Sequence, residues 1–332
     1  MNEPLHVDDY ISAATASNTR RSYQSAIQHF EMEWRGFLPA TADSIARYLA
    51  AYAPTLALNT LKQRLAALAQ WHIEQGFPDP TKAPLVKKTL KGIQALHPEP
   101  IKRAKPFQLN QLDHLVAWLD QRIALASSAE QRPTRLKAAR DKALVLIGFW
   151  RGFRSDELGS LRVEHITAIP DEGMTLFVPS TKTERSGYGA TFKTPALSRL
   201  CPVTAYAQWI ALSELSEGPV FRRIDRWGNI GDEGLHPNSF IPLLRELFRI
   251  AGIDDPTSYS SHSLRRGFAT WANANGWDIK TLMEYVGWKD VQSAMRYIDV
   301  GDAFVRQRIE QAILPSMRPP ITQQIEDDHT HK

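Results

Sequence analysis

A proline-rich segment divides this sequence into two parts and thereby limits the folds that the chain can adopt. Residues 98–106 contain three prolines, and proline supplies no amide donor and resists a helix interior. A chain of 332 residues is long enough for two domains that each bury a core. We therefore predict a first domain over residues 1–97, a basic linker over residues 98–106 and a second domain over residues 107–315. The polar tail, residues 316–332, is predicted to be disordered.

The first domain has the periodicity of a compact bundle of four to five helices. Apolar residues recur at helical spacing in three segments, and each segment follows a residue that can cap a helix. These predicted N-caps are Asn18, Thr41 and Asn59. Gly76 is predicted to end the third helix, because glycine readily adopts the left-handed conformation found at helix C-termini.

The second domain is predicted to be mostly helical, with one small β-hairpin. A helix over residues 135–150 is basic at its start and apolar towards its end. Residues 174–178 and 190–194 are rich in strand-forming side chains, and glycines lie between them. A last amphipathic helix is predicted over residues 302–314. The fold class is therefore mainly α, with a helical first domain and a mixed α+β second domain.

The composition excludes several kinds of site. Lys and Arg number 40 against 36 Asp and Glu, a net charge of +4, so a surface for nucleic acid must come from local clustering. Cys201 is the only cysteine, which excludes an intrachain disulfide and a cysteine-based metal cluster. The N-terminus lacks the pattern of a signal peptide, and the longest apolar stretch, residues 143–150, is too short to span a bilayer. These features predict a soluble, cytoplasmic protein without a membrane partner.

Five polar residues of the second domain have side chains that together could attack a phosphodiester without a metal ion. They are Arg154, His262, Arg265, Trp288 and Tyr297. Such an attack needs positive charge at the non-bridging oxygens, a nucleophile, and a proton for the departing oxygen. Arginine provides paired donors that match phosphate geometry, and indole provides a neutral donor. At an effective dielectric constant near 20, each close charge pair interacts by roughly 4 kcal/mol.

Each of these residues also has an ordinary structural explanation. Arg154 and Glu157 are spaced as an i, i+3 surface ion pair on a helix. His262 can be a capping residue, with Arg265 as a solvated residue on the same helix face. Trp288 can belong to the core, as can the tyrosine. Their shared order along one chain is what favours the catalytic interpretation.

The order of the motifs is more specific than any one of them. Along the chain they are Gly-Phe-Arg154-x-x-Glu157-Leu, a lysine of the predicted hairpin, His262-x-Leu-Arg265-Arg266, Gly287-Trp288 and Tyr297. From about residue 15 to residue 314 the chain resembles the tyrosine site-specific recombinases, the integrases, and tryptophan at position 288 is typical of their Cre-like members. The segments that begin at Leu58 and Pro78 also resemble the family's N-terminal DNA-clamping domain.

This resemblance implies a role for each site residue. Arg154 and Arg265 would bind the scissile phosphate, with Glu157 in support, and Trp288 would donate a hydrogen bond to it. Tyr297 would attack the phosphate and form a 3′-phosphotyrosyl link, leaving a free 5′-hydroxyl. The bond energy stays in that link, so the resemblance implies that no metal, cofactor or ATP is needed.

Proton transfer is assigned by the resemblance to two further residues. His262 would assist proton transfer at the tyrosine, and Lys182, in a Ser-Thr-Lys-Thr sequence, would protonate the leaving 5′-oxygen. Arg185 and Lys193 lie on the same hairpin arms. The sequence therefore leaves three candidates for the general acid, of which Lys182 matches the family pattern.

The resemblance also implies an assembly on DNA. The expected partner is double-stranded DNA with inverted repeats, and a homo-tetramer would bring two such sites together. The expected location is the cytoplasm, for a protein of bacterial or phage origin. Residues 302–314 carry an apolar set that would be oddly exposed on a monomer. These residues would dock into a neighbouring protomer.

Seven basic residues are predicted to contact DNA, chiefly at its phosphates. They are Lys62, Arg64, Lys87, Lys88, Arg103, Lys105 and Arg266. Arg103 and Lys105 belong to the linker, which can equally be a solvated connector. Two other functions stay open at this point: a non-catalytic DNA-binding protein of the same fold, and a related topoisomerase or telomere resolvase.

Overall fold

The chain consists of two compact units, Met1–Lys102 and Arg103–Lys332. A computed structural model describes residues 6, 17–98, 104–126, 128–179 and 189–295. The helix predicted over residues 302–314 and the tail that follows it lie outside the described residues, as does most of the predicted linker.

The described residues are mainly helical, with small antiparallel sheets, which confirms the predicted fold class. Their α-helices are α1 (Ser17–Gln28), α2 (Ala42–Tyr52), α3 (Leu58–Glu74), α4 (Pro84–Leu96), α5 (Leu109–Leu125), α6 (Arg132–Arg151), α7 (Ser155–Gly159), α8 (Pro202–Ser213), α9 (Phe240–Ile250), α10 (Ser261–Ala274), α11 (Ile279–Val286) and α12 (Val291–Met295). Their strands are β1 (Ile166–Ile169), β2 (Gly173–Val178), β3 (Ala190–Pro195), β4 (Arg222–Ile224) and β5 (Ile230–Gly234). None of these described helices is long and apolar enough to cross a membrane.

Helix α2 begins where the sequence predicted it. Thr41 has extended backbone angles, and its hydroxyl accepts a hydrogen bond from the backbone N–H of Ser44 at 3.2 Å. This side-chain cap satisfies one of the amides that a helix start leaves without a partner. Ile45, Tyr48 and Leu49 follow at helical spacing and are fully buried in the core of the first unit.

Two other helix starts were predicted at the wrong residue. Helices α1 and α3 already include Asn18 and Asn59, so neither asparagine is the N-cap. In α3 the carbonyl of Ala57 accepts from the N–H of Leu61 at 3.1 Å, which starts the helix earlier and buries Leu61. At the other end, Gly76 has φ of 76° and follows the last turn, as predicted.

Helix α6 is the centre of the second unit. It packs against α5, α8 and α10, and its apolar half is buried on all sides, including Leu144 and Ile147. The sequence predicted this helix, although it begins three residues earlier than expected, at Arg132. The helix ends at Gly152, which has φ of 58°, a left-handed conformation that glycine adopts without steric cost. The chain therefore turns sharply just before Arg154.

The predicted hairpin is confirmed and belongs to a three-stranded antiparallel sheet in the order β1-β2-β3. Strands β2 and β3 pair from Gly173 opposite Pro195 to Val178 opposite Ala190. Side chains alternate across β3, so Phe192 is buried while Lys193 is exposed. Strand β1 and the hairpin β4–β5 were missed by the sequence analysis, because their residues lack a regular apolar alternation.

The start of α10 packs directly on the chain that enters the second unit, which makes Gly267 critical for stability. A Cβ atom at Gly267 would lie 1.8 Å from the backbone oxygen of Phe107, whose N–H donates to the Ser263 carbonyl at 2.9 Å. We expect Gly267→Ala to lower the free energy of unfolding by about 1–3 kcal/mol or more, because backbone must move to admit a methyl group. Scanning calorimetry of the full chain measures this change.

The matched control is Gly92→Ala in α4. A Cβ atom at Gly92 meets nothing within 4 Å, so alanine should stabilise that helix by about 0.5–1 kcal/mol. Equal melting temperatures for the Gly267→Ala variant and the wild type would contradict the close packing of α10 on Phe107.

Candidate active site

Arg154 lies at the start of α7, where Glu157 of the same helix holds it in place. Arg154 is the N-cap residue, with extended backbone angles, and its N–H donates to Oε2 of Glu157 at 2.7 Å. The guanidinium Nη1 donates to Oε1 of the same carboxylate at 2.9 Å. The Arg154 side chain is 18% exposed and that of Glu157 is 6% exposed. This is a buried, two-point contact, so the alternative of an ordinary surface ion pair is wrong.

The Glu157 carboxylate also joins a second arginine from a distant part of the chain. Nη1 of Arg265, on α10, lies 3.5 Å from Oε2 of Glu157 and donates to the Gly152 carbonyl at 2.7 Å. The Arg265 side chain is 1% exposed. Glu157 therefore connects Arg154 and Arg265, and the alternative of a solvated Arg265 is excluded by its burial.

The turn between α6 and α7 brings these groups together because it has no side chain at Gly152. A Cβ atom there would lie 3.2 Å from Cγ1 of Val286 and 3.5 Å from Cγ of Arg265. The left-handed φ of Gly152 and this close approach both favour glycine. The end of α11 and the arginine of α10 can therefore pack against the turn that leads to Arg154.

Trp288 lies against the Arg265 side chain. The guanidinium carbon of Arg265 is 5.0 Å from the centroid of the Trp288 ring, within range of a cation–π interaction. Gly287, with φ of 77°, ends α11, and the backbone N–H of Trp288 donates to the Met283 carbonyl at 2.8 Å. The indole is buried, at 5% exposure. Trp288 is thus both a core residue and a neighbour of the arginine pair.

The arginine pair carries more positive charge than its carboxylate can neutralise. Arg154 and Arg265 supply two guanidinium groups, whereas Glu157 supplies a single carboxylate. Among the described residues, Glu157 is the sole hydrogen-bond and ion-pair partner of the Arg154 guanidinium. Burial strengthens electrostatic interactions at such a cluster. The cluster is therefore suited to bind an anion such as a phosphate group.

His262 and Arg266 share helix α10 with Arg265 but differ in exposure. His262 is exposed in the first turn of α10. Its backbone N–H donates to the hydroxyl of Ser260, the N-cap residue, at 3.2 Å. Backbone amides at such a helix start favour a nearby anion. Arg266 is 5% exposed. The structure thus leaves His262 accessible and encloses Arg266 in the second unit.

Arg151 is a buried cation next to the arginine pair that the sequence analysis missed. Its Nη1 donates to the Lys193 carbonyl at 2.9 Å, and its Nη2 donates to the Tyr285 carbonyl. Burial lowers the pKa of the Arg151 guanidinium, while Tyr285 and Glu157 act in the opposite direction. A signal was available, because Arg151 directly follows the long apolar run of α6, where a charge needs a specific partner.

Several predicted residues cannot be related to this cluster. Lys182, Tyr297 and Arg103 lie outside the described residues, as does Arg185, so their assignments remain predictions. Lys182 belongs to the connection between β2 and β3, and Tyr297 comes two residues after α12.

The basic residues predicted to contact DNA are mostly at the surface. Lys62, Lys87, Lys88 and Lys105 are exposed. Arg64 is only partly exposed, and its Nη1 donates to the Tyr48 hydroxyl at 3.0 Å. The exposed lysines are available to phosphates, whereas Arg64 already has a partner within the first unit.

A search against protein-family models matches residues 119–303 to the phage integrase family. The integrase/recombinase XerD homolog of Selenomonas ruminantium is 28% identical over 304 residues, covering 89% of this chain and 85% of that protein. Recombinase Cre of Escherichia phage P1 is 25% identical over 280 residues, covering 80% of this chain and 77% of that protein. Both similarities extend through both units of the chain.

Solved structures show the same fold at lower sequence identity. The XerH site-specific recombinase, in a post-cleavage complex with a palindromic difH substrate, matches with a TM-score of 0.60 and 20% identity. That match covers 88% of this chain and 78% of the XerH chain. A lambda integrase dimer bound to a core site matches with a TM-score of 0.53 and 16% identity, covering 88% of this chain and 92% of that one.

The buried carboxylate makes a specific prediction about stability. We expect Glu157→Gln to lower the free energy of unfolding by about 3 kcal/mol, because the substitution removes a buried carboxylate that pairs with Arg154 and faces the buried Arg265. Chemical unfolding followed by tryptophan fluorescence measures the loss. The control is Glu246→Gln, which breaks the exposed pair with Arg249 at 2.7 Å, where both side chains are more than half exposed.

This exposed pair should contribute less than about 1 kcal/mol. The same loss of stability in both variants would contradict the role assigned to Glu157.

Proposed function

Because the chain belongs to the phage integrase family and is a tyrosine recombinase that cleaves and rejoins DNA, we propose that it acts through a covalent 3′-phosphotyrosine link on Tyr297. The observation that carries this proposal is the arginine pair on Glu157. Arg154 is the N-cap of α7 and Arg265 lies on α10, yet both side chains face one buried carboxylate. Binding of the scissile phosphate explains a pair of guanidiniums held in this way better than a contribution to stability alone.

The two arginines stabilise charge that develops on the phosphate. During the attack, negative charge accumulates on the non-bridging oxygens, and fixed donors in a dry site stabilise it without reorganising. The shared carboxylate orients both guanidiniums before DNA arrives, which lowers the entropic cost of assembling the transition state. Trp288 would add a neutral N–H donor at the same phosphate, next to the Arg265 side chain.

Tyr297 is the proposed nucleophile. Its phenol loses a proton, its oxygen forms a bond to phosphorus, and the bond from phosphorus to the 5′-oxygen breaks. His262, exposed in the first turn of α10, assists the proton transfer at the phenol. The phosphodiester bond energy is kept in the phosphotyrosine, so rejoining by a 5′-hydroxyl requires no ATP. The arginines supply the positive charge that a metal ion would otherwise provide.

Lys182 is the proposed general acid, which donates a proton to the departing 5′-oxygen. The structure offers one argument against Lys193 in this role. The Lys193 side chain is exposed on β3 and points to the opposite face from Phe192, which packs on Phe153 with ring centroids 5.0 Å apart. Lys193 thus faces away from the side of the sheet that contacts the turn before Arg154. Lys182 and Arg185 remain on the connection between the strands.

The proposed substrate is double-stranded DNA with inverted repeats around a short spacer. The exposed lysines Lys62, Lys87, Lys88 and Lys105 would contact its phosphates. Four protomers would hold two such sites together, with residues 302–314 of each protomer docked into the next. Relatives that are similar along most of this chain are named as recombinases, such as recombinase Cre of Escherichia phage P1.

A non-catalytic DNA-binding protein of the same fold is the second candidate. It would need the arginine pair only for binding. The presence of Tyr297 in the same sequence as Glu157, Trp288 and both arginines favours the enzyme, because binding to phosphates does not need a nucleophile.

Replacing the nucleophile tests the proposal directly. The substrate is a nicked duplex selected from a random-sequence library by binding to the full chain, because cleavage next to a nick releases a short strand and traps the covalent link. We expect wild type to give a protein–DNA band on a denaturing gel, also in the presence of EDTA, and Tyr297→Phe to give none. A band with Tyr297→Phe, or no band with wild type on any selected duplex, would overturn the phosphotyrosine mechanism.

Removing residues 302–332 tests the proposed assembly separately. The truncated chain should bind a single duplex with unchanged affinity in a gel-shift assay, since the basic surface is retained. It should fail to bring two duplexes together, because the proposed docking segment is missing. Recombination at the wild-type rate by the truncated chain would refute this docking role.

A further inference from the structure

The tip of the β4–β5 hairpin is held in one conformation by its own hydrogen bonds. The carboxylate of Asp225 accepts from the backbone N–H of Trp227 at 2.8 Å, from that of Asn229 at 2.9 Å and from the Asn229 side-chain amide at 2.8 Å. The N–H of Asp225 donates to the Asn229 carbonyl at 3.0 Å. These bonds close the loop from Asp225 to Asn229 and fix the backbone that carries Arg226 and Trp227.

The start of α6 anchors the same tip. Nη1 of Arg132 donates to the Gly228 carbonyl at 2.8 Å. Gly228 has φ of 89°, and a Cβ atom there would lie 3.4 Å from Cγ of Pro133. Glycine adopts this backbone conformation without steric cost, so the tip can pack closely on the first turn of α6. The hairpin tip and the helix start therefore form one continuous surface.

Two side chains of the tip are exposed and lie against each other. Trp227 is 66% exposed, and the guanidinium carbon of the exposed Arg226 lies 4.0 Å from the centroid of its ring. This distance is that of a close cation–π contact. A single exposed apolar residue needs no functional explanation by itself. Here, however, a large ring and a cation are paired on a fixed backbone, so this pair would lose little entropy on binding a partner.

The surface around this pair is positively charged. Arg132 and Arg135, in the first turn of α6, are exposed, as is Arg226. Among the described residues, none of these three arginines has an ion-pair partner, whereas Arg140 and Arg222 of the same two elements each pair with an aspartate. The tip therefore offers three guanidiniums to an anion.

The acidic residues of the hairpin do not neutralise this charge. Both oxygens of Asp225 accept hydrogen bonds within the loop. Asp232 and Glu233 lie further along β5, away from the tip, and Asp232 is 3.9 Å from Arg222. The charges of the hairpin are thus divided, with the cations at the tip and the exposed acids towards the other end.

An anion with an apolar part matches this surface. Two copies of the chain that met through the same surface would bring arginines against arginines, because a two-fold contact places one patch on both sides. Like charges repel at such short distances. DNA, which this chain cleaves and rejoins, carries regularly spaced phosphates with sugars between them. DNA is therefore the partner whose chemistry the tip fits.

We infer that Arg226 and Trp227 form a further DNA contact of the second unit, with Arg226 on a backbone phosphate and Trp227 against the neighbouring sugar. Helix α6 has 20 residues, which span about 30 Å, and it separates this tip from the arginine pair on Glu157. At about 3.4 Å per base pair, the contact lies on the order of nine base pairs from the scissile phosphate. This distance rests on the proposed function, because it places that phosphate at the arginine pair.

Binding of the full chain to one duplex, selected from a random-sequence library, tests the contact. Fluorescence anisotropy gives the affinity at several salt concentrations. Loss of one phosphate contact should lower the slope of log affinity against log salt concentration by about 0.9. We expect Arg226→Ala to show this change and to bind about 10-fold more weakly, because a charge-assisted hydrogen bond is lost. Arg226→Lys keeps the charge and should keep the wild-type slope.

Trp227→Ala separates the ring from the charge. It removes apolar contact and no charge, so it should bind about 3-fold to 10-fold more weakly with the wild-type salt slope. Both side chains of the tip are exposed, so neither substitution should unfold the chain. Wild-type affinity and slope in Arg226→Ala would overturn the inference, as would wild-type affinity in Trp227→Ala.

Arg122→Ala is the matched control. Arg122 is an exposed arginine of α5 whose guanidinium carbon lies 5.5 Å from the centroid of the Trp118 ring. The substitution removes the same charge and the same kind of ring contact from the second unit, and it should leave affinity and slope unchanged. An equal loss in Arg122→Ala and Arg226→Ala would show that binding follows net charge alone, which would also contradict the inference.

Shortening the duplex stepwise from each end locates the contact. Wild type should lose affinity at the step that removes the contacted phosphate, and Arg226→Ala should lose none at that step, because its contact is already absent. Equal losses for both chains at every step would refute the contact.

A protein partner would give a different result. If both variants bind a single duplex like wild type but no longer bring two duplexes together in a gel shift, the tip contacts a neighbouring chain and the assignment to DNA is wrong. These assays measure binding alone. Failure of Tyr297 to form a covalent link would therefore refute the phosphotyrosine mechanism and leave this contact standing.

Discussion

The shared carboxylate of Glu157 is the interaction on which the rest of the site depends. Its oxygens accept from the backbone and side chain of Arg154, and one of them also faces Arg265. Long arginine side chains lose considerable rotamer entropy when they are ordered. Because two guanidiniums share one carboxylate, both are ordered in advance while the cluster keeps a positive charge. In the proposed mechanism a phosphate would therefore meet donors that are already fixed.

Two left-handed glycines allow the ends of two helices to meet at this cluster. Gly152 and Gly287 each end a helix, with φ of 58° and 77°, and each makes a close approach that a Cβ atom would obstruct. Helices α6 and α11 can therefore end next to each other, and the residues that follow them converge. In this fold the polar residues of the site depend on positions that carry no side chain.

The sequence predicted the features that local chemistry determines. Thr41 caps α2, the β2–β3 hairpin forms where strand-forming residues alternate, and Arg154 meets Glu157 because the two residues are one helical turn apart. The helix start at Asn59 was wrong by a small shift, because a cap depends on the geometry of a few hydrogen bonds. The contact of Arg265 with Glu157 and the hydrogen bond of Arg151 to the Tyr285 carbonyl each join residues more than a hundred positions apart. Such contacts arise from tertiary packing and leave no periodic pattern in the sequence.

The chain enters the second unit along the helix that carries Arg265. The N–H of Lys105 donates to the Ser258 carbonyl at 3.0 Å, and the N–H of Phe107 donates to the Ser263 carbonyl at 2.9 Å. One bond lies just before the start of α10 and the other lies in its first turn. A mechanical pull on the chain before Lys105 would therefore act directly on the start of that helix. Two backbone hydrogen bonds thus tie the entering chain to the helix on which Arg265 lies.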